Sequence, residues 1–167
     1  MRLFLALWPD DEVRARLAGA QRAWGWPRRA VCVPPQQLHA TLHFLGEVDE
    51  PAVPALVAGL PPALRFTLRL ARAALWPRGL AVLEADEVPP ALAQLHAALA
   101  ALLRAQGLRV EARRLRPHVT LARHALGAAE PADFAPLDWA VQGYALVRSH
   151  AGPPLRYEVV ARRDAAS

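Results

Sequence analysis

Apolar residues recur with two different spacings along the chain, one typical of strands and one typical of helices. Arg2–Trp8 is an apolar-rich segment typical of a strand, and Asp10–Arg22 has helical spacing with acidic residues in its first turn, directly after Pro9. Pro89–Gln106 is the clearest helix, rich in Ala and Leu and followed by Gly107 as its C-cap. Further strands are predicted at Val31–Val33, Leu38–Leu45, Arg65–Leu75, Leu80–Glu84, Leu108–Ala112, His118–Ala122, Trp139–Ser149 and Arg156–Ala161, and a short helix within Pro51–Leu60.

These elements indicate a mixed α+β fold. No long linker divides the chain, so residues 1–167 are predicted to form a single domain. The two halves resemble each other, because each combines helix and strands and each holds one His-x-Thr strand. His39 and His118 lie 79 positions apart (118 − 39), about half the chain. We therefore expect duplicated lobes with a cleft between them.

Composition narrows the class of protein. With 54% hydrophobic and 21% charged residues, the chain has enough apolar surface for a core. No apolar run reaches the roughly 18 residues of a membrane span, and Asp10–Glu12 follow the first strand too soon for a signal peptide, so a cytoplasmic location is predicted. The net charge is +5 and every Lys or Arg position is Arg, which suits an anionic substrate.

Cys32 is the only cysteine, which excludes an intramolecular disulfide and a cysteine metal cluster. Its neighbours in Val31-Cys32-Val33 favour a small buried side chain over a catalytic thiol.

The repeated strings H-A-T-L and H-V-T-L carry the candidate chemistry. Residues two apart on a strand project from the same face, so His39 and Thr41 point together and His43 continues that face, while Phe44 is predicted to point into the core. One such string has little meaning, but two in equivalent places of two half-chains favour a shared function.

His118 and Thr120 likewise point together from the second strand. Two imidazoles can divide acid–base work, one taking a proton from water and the other giving one to a leaving alkoxide. Two threonine hydroxyls can stabilise the oxygens on which charge accumulates in phosphoryl transfer. The spacing of His39 and His43 is the nearest to a metal pair, but no carboxylate accompanies it, so no metal is expected.

The motifs and their flanks identify a family resemblance. The chain resembles the two-histidine phosphoesterase superfamily, specifically the RNA 2',3'-cyclic phosphodiesterases, also called 2'-5' RNA ligases. The resemblance covers nearly the whole chain, and it is carried by Arg2–Leu7, Leu38–Gly46, Arg116–Arg123 and the closing segment Tyr144–Tyr157.

The resemblance implies a bilobal fold with pseudo-twofold symmetry, both motifs facing a central cleft, and hydrolysis of a 2',3'-cyclic phosphate at an RNA 3' end to a 2'-phosphate. Carried over residue by residue, His39 is the proton donor to the departing 3' oxygen and His118 the proton acceptor that activates water. Thr41 and Thr120 hold the phosphate, and Arg123 assists them. Strict alternation places Arg123 opposite His118, so the strand ends there or contains a bulge.

We expect a cofactor-free monomer that acts on RNA ends, including tRNA fragments, or on cyclic nucleotides. ATP-independent 2'-5' ligation in the same site remains open, as does a non-catalytic module that binds RNA ends. The basic run Arg113, Arg114 and Arg116 either contacts an RNA backbone or forms a solvated surface. The five tryptophans are assigned to the core or to the rim of the cleft. No functional partner is predicted for His96, His124 or His150.

Overall fold

The computed structural model describes residues 1–166 of the chain. It contains nine strands and three α-helices within that range. The strands are β1 (Arg2–Leu7), β2 (Val31–Cys32), β3 (Ala40–Glu47), β4 (Phe66–Trp76), β5 (Leu80–Ala85), β6 (His118–Arg123), β7 (Leu137–Val141), β8 (Gly143–His150) and β9 (Arg156–Asp164). The helices are α1 (Asp11–Arg22), α2 (Val53–Gly59) and α3 (Pro90–Ala105).

The strands form two antiparallel sheets. The first sheet has the order β3-β1-β8-β9 and the second the order β2-β6-β5-β4-β7. α3 packs against β3 and α2 against α3, while β3 and β6, one strand from each sheet, contact each other. The predicted α+β architecture of two antiparallel lobes is confirmed.

The lobes are not made from contiguous halves of the chain, as the repeat had suggested. β8 and β9 close the first sheet from the C-terminal end of the chain, and β2 joins the second sheet from the N-terminal half. The predicted strand Trp139–Ser149 is in fact two strands in different sheets, because the chain crosses over at Gln142 and Gly143. A Cβ on Gly143 would approach the Arg163 carbonyl oxygen to 2.6 Å, so only glycine fits this crossover.

Two local expectations are wrong. Residues 108–112 form no strand, because β6 already has a neighbour on each side, β2 and β5, and offers no free edge. Cys32 is exposed rather than buried, since β2 is a two-residue edge strand.

The helix boundaries follow the predicted signals. Asp10 caps α1, its carboxylate accepting a hydrogen bond from the Val13 N–H at 2.8 Å. Pro54 lies in the first turn of α2, which starts at Val53 after a short 3₁₀ turn. Gly107 follows α3 with φ of 71°, a left-handed conformation that glycine adopts without strain.

No helix within residues 1–166 has the length and apolar character needed to cross a membrane.

Candidate active site

The contact between β3 and β6 brings the two His-x-Thr motifs together. His39 immediately precedes β3, and His118 is the first residue of β6. The two imidazoles are close enough to interact electrostatically, since the charge of His118 lowers the pKa of His39, as does that of Arg123. Both histidines and Arg123 therefore lie near one another where the two sheets meet at β3 and β6, the place called the cleft below.

Each imidazole is oriented by a backbone carbonyl two residues earlier in the chain. His39 Nδ1 lies 2.6 Å from the Gln37 oxygen, and His118 Nδ1 lies 2.7 Å from the Arg116 oxygen. A carbonyl oxygen only accepts, so Nδ1 carries the hydrogen in both rings. Nε2 is then the atom that titrates in each ring, and in His39 it lies 3.1 Å from the Thr41 hydroxyl.

A bulge follows each motif and changes which side chains reach the cleft. In β3, Leu5 pairs with His43 but Ala6 pairs with Thr41, so Leu42 is an extra residue. In β6, the pairs of Ala81 with Ala122 and of Val82 with Thr120 leave Leu121 as the extra residue.

Each bulge reverses the parity of the residues that directly follow it. Arg123 therefore lies on the same side as His118, which is the bulge alternative left open by the sequence. Phe44 occupies the equivalent place after the first motif, and its side chain is 51% exposed beside Phe4 rather than in the core.

His43 does not continue the face of His39, as strand parity had predicted. It is buried on the opposite side of β3, where its ring stacks on that of His96 from α3 with centroids 4.0 Å apart. Its Nε2 donates to the His96 carbonyl oxygen at 3.0 Å. The bulge at Leu42 is the physical reason, and it makes His43 and His96 packing partners outside the cleft.

The wall of the cleft around His39 is aromatic and apolar. The rings of Phe4, Trp8 and Tyr157 surround the imidazole at centroid distances of 5.0, 5.5 and 5.6 Å, with Trp8 nearly parallel to it. Burial is the main cause that lowers the pKa of His39 to about 4, and Arg123 and His118 lower it further against the Gln37 hydrogen bond, which raises it. His39 is therefore neutral in the free protein at neutral pH.

The wall around His118 is polar. The Trp76 ring packs against the imidazole with ring centroids 4.4 Å apart. The Arg116 guanidinium lies over the same Trp76 ring, 4.2 Å from its centroid. Glu84 is buried beside them and binds both side chains together with Arg72.

Burial lowers the pKa of His118 as well. The positive charges of Arg116 and Arg113 lower it further, whereas the Arg116 carbonyl hydrogen bond and the charge of Glu84 raise it. The two imidazoles are thus inequivalent, because a carboxylate acts on one of them and not on the other.

Five neighbours of the histidines were missed by the sequence reasoning. Trp8 and Trp76 were assigned by default to core or rim, and nothing singled out their contacts with the imidazoles. Cross-strand pairing brings these residues to the cleft, and it cannot be read from the local pattern. The five residues are Phe4, Trp8, Trp76, Glu84 and Tyr157.

The remaining candidate residues are exposed or form ion pairs away from the two imidazoles. His150 pairs with Glu158 at 2.7 Å on the hairpin of β8 and β9. Arg113 and Arg114 are exposed, and Arg113 pairs with Glu111 at 2.8 Å. Within residues 1–166, no group of three or more His, Cys, Asp or Glu side chains is arranged to hold a metal ion.

The comparisons with known proteins extend over nearly the whole chain. The family model of the 2'-5' RNA ligase superfamily matches residues 9–153, which include both motifs. The RNA 2',3'-cyclic phosphodiesterase of Thermus thermophilus is 36% identical over 166 residues, covering 92% of this chain and 84% of that protein. Two crystal structures of E. coli LigT, in apo form and complexed with 3'-AMP, are similar with TM-scores of 0.83 and 0.82, each at 29% identity and covering 99% of this chain and 98% of LigT.

Proposed function

Because the chain belongs to the 2'-5' RNA ligase superfamily, we propose that its cleft hydrolyses the 2',3'-cyclic phosphate at an RNA 3' end and leaves a 2'-phosphate. One observation carries the proposal. One imidazole lies directly before β3 and the other on β6, which contact each other, and each has Nδ1 fixed by a backbone carbonyl and Nε2 left to exchange a proton. Such a pair supplies the acid and the base that ring opening requires.

The proton transfers follow from these atoms. His118 Nε2 takes a proton from water, and the hydroxide attacks phosphorus. The bond from phosphorus to the 3' oxygen breaks, and that oxygen receives a proton from Nε2 of protonated His39. The phosphate stays on the 2' oxygen, and reciprocal proton exchange with solvent restores both rings.

Thr41, Thr120 and Arg123 act on the phosphate oxygens. The Thr41 hydroxyl donates to unprotonated His39 Nε2 in the free enzyme, and protonation of that nitrogen releases the hydroxyl to donate to the phosphate. Thr120 holds the corresponding place on β6. Arg123, which the bulge turns into the cleft, neutralises the charge that builds up on the non-bridging oxygens.

The substrate itself prepares His39 to be the donor. A pKa of about 4 leaves the ring neutral in the free enzyme at neutral pH. A unit negative charge about 4 Å away contributes about 4 kcal/mol at an effective dielectric constant of about 20, which is about 3 pKa units. Binding of the anionic phosphate therefore brings the pKa of His39 close to neutrality.

The whole chain acts as one two-lobed unit in this proposal. Its substrates are RNA ends that carry a cyclic phosphate, including tRNA fragments, and small 2',3'-cyclic nucleotides. The enzyme works as a monomer, without a cofactor, in the cytoplasm.

Product analysis tests the proposed function. With adenosine 2',3'-cyclic monophosphate, the ³¹P NMR spectrum is expected to show adenosine 2'-monophosphate as the only product, since the 3' oxygen leaves. Accumulation of the 3'-monophosphate would contradict the proposed donor geometry. Tight binding of cyclic-phosphate RNA without turnover would instead indicate a binding module, and joined tRNA halves without added nucleotide would indicate ligation.

The pH dependence tests the electrostatics of the histidine pair. Both profiles are expected to be bell-shaped, because one ring must be neutral and the other charged. The kcat/KM profile reports the free enzyme, in which the pKa of both rings is lowered, so its alkaline limb lies below pH ~6.5. Bound phosphate raises both pKa values, so the alkaline limb of kcat lies at higher pH.

Steady-state rates measured between pH 4 and 9 with a slow substrate, for which chemistry limits kcat, check this prediction. Coincident alkaline limbs would show that the phosphate does not act on the histidine pair, and a monotonic kcat profile would rule out the two-histidine mechanism.

A further inference from the structure

Glu84 is the only buried acidic side chain within residues 1–166, with 6% of its surface exposed. It pairs with His118 across β5 and β6 and with Arg72 across β5 and β4. Residues directly opposite each other in antiparallel strands share a face of the sheet, so the Glu84 carboxylate lies on the cleft side, next to the imidazole.

The first sheet has a different residue at the equivalent place. Leu7 pairs with Ala40, which places Trp8 beside His39. One histidine thus has an indole as its cross-strand neighbour and the other a carboxylate. The pseudo-symmetry of the cleft is broken at the position where a charge has the largest effect on proton exchange.

Both oxygens of the carboxylate are used. Oε1 accepts from Arg72 Nε at 3.1 Å, and Oε2 accepts from Trp76 Nε1 at 3.0 Å and from an Arg116 guanidinium nitrogen at 2.9 Å. Burial raises the pKa of Glu84, but the hydrogen bonds from Arg72 and Trp76 and the arginine charges outweigh it and hold the pKa below its ordinary value. The group is therefore ionised at neutral pH.

The same bonds fix the surroundings of His118. Trp76 is held by Nε1 while its ring packs against the imidazole, and Arg116 is held by its guanidinium while its carbonyl accepts from His118 Nδ1. Removal of Glu84 would free both contacts and leave two arginines without their carboxylate.

The charges that face His118 come from three parts of the chain. Arg113 and Arg116 precede it on its own segment, Glu84 faces it from β5, and His39 faces it from the position directly before β3. Glu84 is the one negative charge among them. An imidazolium formed when His118 takes a proton from water is stabilised by that charge, whereas His39 has only positive neighbours and an apolar wall.

We propose that Glu84 is a positioning residue that makes His118 the proton acceptor of the pair, because it holds Trp76 and Arg116 against the imidazole and faces it with a buried negative charge. This inference rests on the proposed function and concerns which histidine takes which role. The negative charge stabilises the imidazolium that forms when His118 takes a proton from water, and the aromatic wall around His39 offers no such charge.

Replacement of Glu84 by glutamine tests the charge. E84Q keeps the size of the side chain and one acceptor for Trp76 but removes the charge. An opposite charge on an adjacent side chain shifts a pKa by about 1 unit or more. NMR titration of the ¹³C-labelled imidazoles is therefore expected to show the pKa of His118 lowered by about 1 unit and that of His39 by less. The limb of the kcat profile that is set by the pKa of His118 moves to lower pH by a similar amount, and kcat falls several-fold.

E158Q is the matched control, since Glu158 also pairs with a histidine, His150, but on the hairpin of β8 and β9 away from the cleft. It is expected to leave the titration of His118 and the kcat profile unchanged. A folded E84Q enzyme with the titration of His118 and the kcat profile unmoved overturns the proposal.

Two measurements do not depend on E84Q being folded. In the wild-type protein His118 is expected to titrate above His39, and the reverse order overturns the proposal. W76F removes the indole N–H but keeps a ring and the Glu84 charge, and it is expected to lower kcat several-fold with KM changed less than twofold. Wild-type kcat in folded W76F would overturn the holding role. Absence of any cyclic-phosphate hydrolysis by the wild-type enzyme would defeat the proposed function itself, which the titrations distinguish from failure of this inference.

Discussion

Replacing either His39 or His118 by alanine is expected to lower kcat for a 2',3'-cyclic nucleotide by at least 10³-fold. Each ring supplies one of the two proton transfers, and a general acid or base contributes about 10²–10⁴-fold to a rate. The remaining histidine has no substitute, since His43 is buried against His96 on the far side of β3. Single-turnover rates with a purified, folded variant measure the loss directly.

The residual pH profiles assign the roles. A variant without the acceptor loses the acidic limb of kcat, because no base remains to be protonated, and a variant without the donor loses the alkaline limb. H118A is therefore expected to lose the acidic limb and H39A the alkaline one. H150A is the matched control, because His150 pairs with Glu158 outside the cleft, and its kcat is expected to equal that of the wild type. More than a tenth of wild-type activity in either cleft variant would contradict the mechanism.

The chain's local patterns predicted most elements correctly. Asp10 and Pro9 mark the start of α1, and Gly107 marks the end of α3, because caps and breakers act over a few residues. The strand that was predicted at residues 108–112 does not form, because strand formation depends on a free neighbouring edge. The crossover at Gly143 likewise depends on which sheet receives the next strand, and a local pattern does not contain that information.

The site shows the same division. The two His-x-Thr strings singled out His39, Thr41, His118 and Thr120 as candidates, and strand parity placed each pair on one face. The prediction of side-chain direction from strand parity failed one residue later, because a bulge interrupts each strand there.

A bulge exposes Phe44, and the stacking of His43 follows from the same shift. A bulge is a property of two paired strands, so the sequence of one strand does not reveal it. Arg123 was the exception. The role that the family resemblance implies for it required a bulge or a strand end at this point.

The sequence did not predict the inequivalence of the two histidines, for a related reason. Trp8 and Glu84 are 31 and 34 residues from the histidines they flank (39 − 8 and 118 − 84), and only cross-strand pairing brings them together. The repeat suggests two equal half-sites, whereas these neighbours give one imidazole an aromatic wall and the other a buried negative charge.

The second large effect is expected at the two threonines. T41V and T120V each keep the shape of the side chain but remove the hydroxyl that donates to a phosphate oxygen. Loss of one such preorganised donor lowers kcat by about 10²–10³-fold, because the donor acts on charge that develops in the transition state. KM is expected to change much less, since the ground-state phosphate carries less charge on those oxygens.

Serine variants separate the hydroxyl from the packing of the methyl group. T41S and T120S are expected to retain kcat within about tenfold of the wild type, because the donor is kept. Thr67, an exposed residue of β4 that pairs with Ala140, offers the matched control, and T67V is expected to leave both constants unchanged. If T41V and T120V each lost less than threefold in kcat, the hydroxyls would not stabilise the transition state, and the backbone and Arg123 would have to hold the phosphate. T41V also removes the hydrogen bond to His39 Nε2 in the free enzyme, so its kcat/KM profile is expected to shift while that of T120V stays in place.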